Sequence, residues 1–167
     1  MLQPLNDLCI AANSPTEQTI KDLQHFFDYC ASNPDPKIIF RASDMLLQLY
    51  TDAAYLVAPK ARSRAAGYHF LGNKDGNLHN GPIYVLAKII KAVMSSAAEA
   101  ESGGAFMNAT EACAFRTTLE ELGWKQPATP IITDNSTSRG IMNKTIKQKR
   151  SKAMDMRFYW QIGRAHV

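Results

Sequence analysis

The sequence predicts an α/β domain in which helices pack on a mixed four-stranded sheet, and three observations support this. Three apolar runs of strand length follow one another, and the last two are joined by a polar stretch with the turn-forming pair Asp75-Gly76. A long helical pattern comes next, opened by the capping sequence Ser96-Ala97-Ala98-Glu99. A fourth apolar run ends at Asp134. Because strand–helix–strand connections are right-handed, this fourth strand can lie parallel to the first, which gives the order 3-2-1-4.

One helix is predicted before the sheet. The stretch Ser14-Pro15-Thr16-Glu17 has the pattern of a helix start, with Ser14 as the capping residue and Glu17 closing a capping box. Asn33-Pro34-Asp35-Pro36 then ends the helix. The apolar residues that recur at helical spacing between these signals are Ile20, Leu23, Phe27 and Cys30.

The three consecutive strands are predicted from their apolar residues and turn signals. The first runs from Met45 to Tyr50 and stops at Thr51-Asp52, in the manner of a strand buried on both faces. After a loop rich in basic residues, the second covers Ala65 to Leu71 and the third covers Ile83 to Ala87. These three strands should be antiparallel.

The long helix should begin after Ser96 and end at Gly123. Gly103-Gly104 interrupts its pattern, at a cost of roughly 1 kcal/mol per glycine relative to alanine. The pair is either tolerated or marks a place where the helix approaches the sheet closely. The elements predicted after it are a strand over Thr129 to Thr133, a short helix capped by Ser136 or Thr137 and running through Met142, and a helix over Ala153 to Trp160.

Composition favours a protein of a reducing compartment. The chain has 167 residues, a formal net charge of +4 and three cysteines, an odd and widely spaced set that does not fit a disulfide framework. No signal peptide and no membrane-spanning run is recognisable, so we expect a cytosolic or nuclear protein that is not secreted. Tripeptides that match the glycosylation pattern, one of them at Asn108 inside the predicted long helix, therefore carry no functional weight.

Basic residues are concentrated in two stretches, which makes a polyanionic partner plausible beside the simpler interpretation of a solvated basic face. Phosphate contacts from such residues position a nucleic-acid duplex without reading its sequence. The candidate nucleic-acid-binding residues are Lys60, Arg62, Arg64, Lys147, Lys149, Arg150 and Lys152. His69, among apolar residues of the second strand, is better explained as a packing residue than as a catalytic base.

Three carboxylates are candidates for one metal site. If the first and fourth strands are parallel neighbours, Asp52 and Asp134 lie near their carboxyl ends, where open α/β sheets bind ligands. Glu101 falls in the first turns of the helix that joins these strands. Carboxylates this close repel one another unless cations bind between them, and hard oxygen ligands select Mg²⁺ or Mn²⁺. Taken singly, each acid is better explained as a capping or surface residue, and only their joint placement in this topology favours a metal site.

Four blocks of sequence, in this order, resemble the ribonuclease H domain of copia-type long-terminal-repeat retrotransposons. They are SDMLLQLYTDAAYLVAPKARSRAAGYHFLGNKDG, VMSSAAEAE, PIITDNSTSRGIMN and IKQKRSKAMDMRFYW. The resemblance covers about Ser43 to Trp160 and implies a ribonuclease H-like fold. The segment before it resembles the connection that links the reverse transcriptase to this nuclease in the polyprotein. We therefore expect residues 1–42 to be the trailing end of that connection and residues 43–161 to form the nuclease domain.

The resemblance implies a retroelement ribonuclease H that hydrolyses the RNA strand of RNA–DNA hybrids during reverse transcription, using two divalent cations, Mg²⁺ or Mn²⁺. Its partners would be the hybrid and the parent reverse transcriptase, in a virus-like particle in the cytoplasm or in the nucleus. By position, the resemblance assigns the metal-binding and catalytic roles to Asp52, Glu101 and Asp134. Glu99 is the alternative for the helix acid, because the family pattern has an acid at both positions. Asp155 is interpreted as a structural or capping residue.

The resemblance breaks off where the family continues into a fifth strand and a final acidic motif. Residues 162–167, IGRAHV, match what one reading frame of a common short-read sequencing adapter encodes, so we expect a truncated domain with a non-native tail. This leaves a second hypothesis, a catalytically inactive remnant that at most binds nucleic acid or its polymerase. An integrase of the same fold is less consistent with the sequence, because the helix acid lies between the two aspartates and not after them.

Overall fold

The structure is a computed structural model, and it describes residues 2–146. Its elements are α1 (Leu2–Ala11), α2 (Glu17–Ser32), β1 (Leu46–Ala58), β2 (Arg62–Gly72), β3 (Pro82–Ile89), α3 (Ala97–Glu121), β4 (Ile131–Ile132) and α4 (Ser136–Met142). The chain divides into two compact units, with the boundary between Ile38 and Ile39. The predictions that lie outside the described residues are the last helix, Lys147, Lys149, Arg150, Lys152, Asp155 and the tail 162–167.

The first unit contains two helices, not the single predicted one. The prediction of Ser14 as the cap of α2 is wrong. Thr16 is the capping residue: its Oγ1 accepts from the Thr19 N–H (3.3 Å), while Thr19 Oγ1 accepts from the Thr16 N–H (3.1 Å). With this reciprocal pair the helix begins two residues later than predicted, which leaves Pro15 outside it. The helix α1 was not predicted, and its first turn contains no acid that would indicate a helix start.

The predicted strand order is confirmed, since the sheet has the order β3-β2-β1-β4. The strand β2 is antiparallel to both β1 and β3, whereas β4 is parallel to β1, with Leu49 opposite Ile131 and Tyr50 opposite Ile132. The strand β4 is shorter than predicted, because only these two residues pair. A mixed four-stranded sheet in this order, together with the helices, is consistent with a ribonuclease H-like fold.

The hairpin between β1 and β2 is longer than predicted. The strand β1 continues past Asp52 to Ala58, and a tight turn follows in which Lys60 and Ala61 have φ values of 61° and 51°. Arg62 and Arg64 therefore lie in β2 and not in a loop rich in basic residues, which corrects that prediction.

The long helix α3 begins and ends as predicted. Ser96 caps it by accepting from the Glu99 N–H, and Gly123 follows its last turn with a φ of 92°, a conformation that glycine adopts without strain. It packs on β1 and β2. Between them lie two apolar clusters: Ala65, Leu86, Ile90, Met94 and Ala100 form one, and Leu47, Leu49, Ala112 and Leu119 form the other.

Gly104 is the point of closest approach between α3 and the sheet. A β-carbon at this position would lie 3.3 Å from the Asp52 carbonyl oxygen, 3.5 Å from Ala53 Cβ and 3.6 Å from Ala65 Cβ. Of the two explanations for the glycine pair, close approach therefore applies to Gly104. At Gly103 an added β-carbon would meet only the mobile end of the Met94 side chain and two carbons of Ile90.

Part of the opposite face of the sheet is exposed in the part of the chain that the structure describes, although Gln48 and Phe70 are buried on that face. Tyr50, Val85 and Ile132 are 39%, 43% and 38% exposed there.

Cys9, Cys30 and Cys113 are free thiols. Among the described residues, no helix combines the length and the apolar character needed to cross a membrane.

Candidate metal centre

Asp52 and Asp134 occupy equivalent positions on two parallel strands. Tyr50 is opposite Ile132 in the β1–β4 ladder. Asp52 lies two residues after Tyr50, and Asp134 lies two residues after Ile132, just past the end of β4. Both are exposed. Pairing between β1 and β4 stops after Ile132, so no residue of β4 is opposite Asp52, which lies within β1 and not near its end as was predicted.

Glu101 brings the third carboxylate to the same place. It lies in the second turn of α3, and only 6% of its surface is exposed. One carboxylate oxygen from each of Asp52, Glu101 and Asp134 lies within 4.8 Å of the other two. Two exposed acids and one buried acid, from three different elements, thus form one cluster.

Glu101 is the group in this cluster whose protonation is most strongly perturbed. Its pKa is raised to about 7, first by burial and then by the negative charges of Asp52 and Asp134, while a hydrogen bond from the Ala53 backbone N–H acts in the opposite direction. Its Oε2 atom is buried and has no hydrogen-bond partner within the described part of the chain. An ionised carboxylate in these surroundings requires a positive partner.

Glu99, the alternative helix acid, does not belong to the cluster. Its Oε2 accepts hydrogen bonds from the Ser95 N–H (2.6 Å) and from Ser95 Oγ (2.7 Å), so it binds the segment that enters α3. The geometry favours Glu101 over Glu99 as the acid that faces the two aspartates. Spacing alone does not distinguish two acids that lie two residues apart at a helix start.

The short helix α4 fixes the chain after Asp134. Asn135 caps it by accepting from the Ser138 N–H (2.9 Å), where Ser136 or Thr137 was predicted to be the cap. Ser138 is fully buried, and its Oγ lies 3.1 Å from Ser102 Oγ on α3. Since Ser102 directly follows Glu101, this contact joins the segments that carry two of the three acids.

The residues present fit a hard divalent cation. The cluster offers only carboxylate oxygens, the ligands that Mg²⁺ and Mn²⁺ prefer, and the orphaned Oε2 of Glu101 lacks another partner. Oxygens bound to one Mg²⁺ are at most about 4.2 Å apart, so small side-chain adjustments suffice. The exposure of the two aspartates keeps one side open for water or a ligand.

The predicted nucleic-acid-binding residues that the structure describes differ in accessibility. Lys60 is exposed at the hairpin turn, and Arg62 is partly exposed. Arg64 is only 8% exposed and is engaged by other groups of the protein, so it does not present its guanidinium as a phosphate-binding group should. Arg64 is therefore better explained as a structural residue.

His69 behaves as a packing residue, as its surroundings in sequence indicated. It is fully buried, with its ring against Tyr84 and Phe115 at centroid distances of 5.3 and 5.8 Å. Burial lowers its pKa, so the ring stays neutral near pH 7.

Comparison with known proteins gives one informative similarity. The chain is 28% identical over 123 residues to the "Retrovirus-related Pol polyprotein from transposon TNT 1-94" of Nicotiana tabacum. The match covers 74% of this chain but only 9% of that polyprotein. No family model matches the chain, and no solved structure matches it. The similarity supports an origin of this chain in a retrotransposon Pol polyprotein.

Proposed function

We propose that the chain is a retroelement ribonuclease H, which hydrolyses the RNA strand of RNA–DNA hybrids with divalent cations held by Asp52, Glu101 and Asp134. The observation that carries the proposal is the meeting of three carboxylates, one of them buried with an orphaned oxygen, beside the paired segment of β1 and β4. The retrotransposon similarity and the sheet order support the same function.

The three acids differ in exposure, and the roles proposed for them differ accordingly. Asp52 and Asp134 face solvent and would contact both a cation and the hydrated backbone of a substrate. Glu101 is buried and would hold the cation from the protein side, giving up its proton as the cation binds. Two Mg²⁺ ions at such a site would activate a water molecule and stabilise the leaving oxygen of the phosphodiester.

The context of the activity follows from the similarity to Pol. We propose that the chain acts beside a reverse transcriptase in the same polyprotein, in a virus-like particle in the cytoplasm or in the nucleus. Residues 1–42 would be the trailing end of the connection to that polymerase, and Lys60 and Arg62 would contact hybrid phosphates beside the hairpin. Salt should weaken hybrid binding, because phosphate contacts release counterions.

The experiment is a cleavage assay with a labelled RNA strand annealed to DNA, in Mg²⁺. The variant Asp52→Asn keeps the shape of the side chain and removes its charge. Losing an outer-shell partner of a metal typically costs about 10–100-fold, so losing a ligand should reduce cleavage by at least about 100-fold. Asp75→Asn, in the exposed turn between β2 and β3, is the matched control and should cleave normally. Cleavage that survives Asp52→Asn with unchanged melting would refute the proposal.

A second candidate is a chain that binds hybrids without cleaving them. The observation that favours it is the open sheet face, where Tyr50, Val85 and Ile132 remain exposed among the described residues. A domain with an uncovered apolar layer loses packing that would hold its catalytic groups in place. Fluorescence anisotropy with the same hybrid separates the two candidates, since binding without turnover supports the second.

A further inference from the structure

Asn108 is a fully buried polar residue on α3, two turns after Glu101 and on the same side of the helix. Its Nδ2 lies 3.1 Å from Thr51 Oγ1, 2.9 Å from the Ala66 carbonyl oxygen and 3.0 Å from the Gly104 carbonyl oxygen. Two amide hydrogens thus serve three acceptors, on β1, on β2 and on the helix itself.

The orientation of this amide follows from the chemistry of its neighbours. The carbonyl oxygens of Ala66 and Gly104 can only accept, so the amide nitrogen must face them. The oxygen of Asn108 then faces His69 Nε2, at 2.9 Å, and His69 must donate there. The neutral imidazole therefore carries its proton on Nε2, and the hydrogen bond joins β2 to α3 a second time.

The strand is shaped to receive this side chain. A β-carbon at Gly67 would lie 1.7 Å from Asn108 Oδ1, so any other residue at position 67 would displace the amide. Gly67 lies between Ala66 and Tyr68, at the centre of β2, where glycine is otherwise unfavourable. The Asn108 side chain therefore occupies the space that the missing side chain of Gly67 leaves free.

The contacts of Asn108 surround Asp52 in the sheet. Thr51 directly precedes Asp52 on β1, and Ala66 is the residue opposite Asp52 on β2. We propose that Asn108 is a positioning residue of the candidate metal centre, which fixes the distance between Asp52 on the sheet and Glu101 on the helix. The proposal rests on the proposed function, since it gives Asn108 a role in the metal site of that function. A shift of α3 along the sheet would leave buried polar groups unpaired, which makes the helix position well defined.

The test uses the full chain and measures Mn²⁺ affinity by electron paramagnetic resonance, beside melting followed by circular dichroism. Asn108→Leu keeps the approximate volume and removes all four hydrogen bonds, and we expect an affinity about tenfold lower than in the unsubstituted protein. Thr51→Val removes a single acceptor with little change in shape, so it folds even if Asn108→Leu does not. Its affinity should fall by about threefold.

The matched control is Leu119→Ala, which leaves a cavity at the far end of the same helix and lowers stability without touching the Asn108 contacts. Affinities are compared at a temperature at which every variant is folded. If Asn108→Leu and Thr51→Val lose stability but bind Mn²⁺ as tightly as Leu119→Ala, the positioning role is wrong. If the unsubstituted chain shows no Asp52-dependent Mn²⁺ binding, both proposals fail. If binding depends on Asp52 and Asn108 but hybrids are not cleaved, the positioning role stands and the proposed function fails.

Discussion

The two halves of α3 differ in the kinds of residues that they bury, although one continuous helix runs through both. The first half is polar and small: its buried residues include Glu99, Glu101, Ser102, Gly103 and Gly104. The buried residues of the second half are apolar: Ala112 and Leu119 pack there against Leu47 and Leu49 of β1. Asn108 lies at the boundary between the two halves.

The two halves of α3 therefore contribute differently to the stability of the domain and to its candidate metal site. Two glycines cost roughly 1 kcal/mol each in helix propensity, and a buried carboxylate without a cation is also unfavourable, so the first half destabilises the domain. The second half offsets this by burying apolar surface. Proteins commonly depart from ideal local sequence at functional sites, and the departure here is confined to the turns that carry Glu101.

The largest effect is expected at Glu101 itself. Glu101→Gln should reduce Mn²⁺ affinity and hybrid cleavage by at least about 100-fold, because it removes the buried ligand. The same change should raise the melting temperature of the metal-free protein at pH 8, because a neutral amide replaces a buried carboxylate that faces Asp52 and Asp134. Titration with Mn²⁺ and thermal melting measure the two effects.

The matched control for this prediction lies in the other half of the helix. Glu120→Gln changes an exposed carboxylate that forms an ion pair with Arg116, at 3.5 Å and one turn away. Its effect on stability should be within about 0.5 kcal/mol, and its metal affinity should not change. A parallel loss of affinity in both variants would show that general charge, and not the position of Glu101, governs cation binding.

The next largest effect is expected from a substitution at Gly104, where α3 lies close to the sheet. Gly104→Val places a branched side chain against the Asp52 carbonyl and Ala65, and overpacking of this kind typically costs about 1–3 kcal/mol. Chemical denaturation measures the cost, and Mn²⁺ affinity should fall as the helix moves away from β1. Gly103→Ala is the control, because Met94 can move aside and the helix gains propensity. Equal destabilisation by both changes would contradict a special role for Gly104.

Much of the fold was predictable because its signals are local. The Asp75-Gly76 turn, the Ser96 cap and the right-handed crossover were enough to predict the sheet order. Element boundaries were less accurate because tertiary pairing decides them. The strand β1 continues past Asp52 because β2 continues beside it, and β4 is limited to Ile131–Ile132 although the apolar pattern is longer.

The candidate site was partly predictable for a related reason. Equivalent positions on parallel strands bring Asp52 and Asp134 together, and the resemblance in sequence indicated which acids to compare. The role proposed for Asn108 had no comparable signal. Its partners lie at least 39 residues away along the chain, apart from Gly104 on its own helix. In the sequence, Asn108 is only a polar residue in a helix and part of a tripeptide without functional weight.

Cation affinity should also depend on pH, and only the first half of α3 should produce this dependence. A proton and a cation compete for Glu101, whose pKa is raised to about 7 by burial first and by the two aspartates in addition. Mn²⁺ should therefore bind about tenfold more weakly at pH 6 than at pH 8. Affinity that stays constant over this range would contradict the raised pKa.

The melting temperature of the metal-free protein tests the raised pKa of Glu101 independently. The folded pKa of Glu101, about 7, lies above its ordinary value of 4.5, so the folded state binds this proton more tightly than the unfolded state. The resulting stabilisation is complete below about pH 4.5 and is lost as the pH rises through 7. The variant Glu101→Gln has no ionisable group at this position, so it does not lose this stabilisation as the pH rises. Its advantage in melting temperature over the unsubstituted chain should therefore grow between pH 5 and pH 8, whereas Glu120→Gln should show a constant difference.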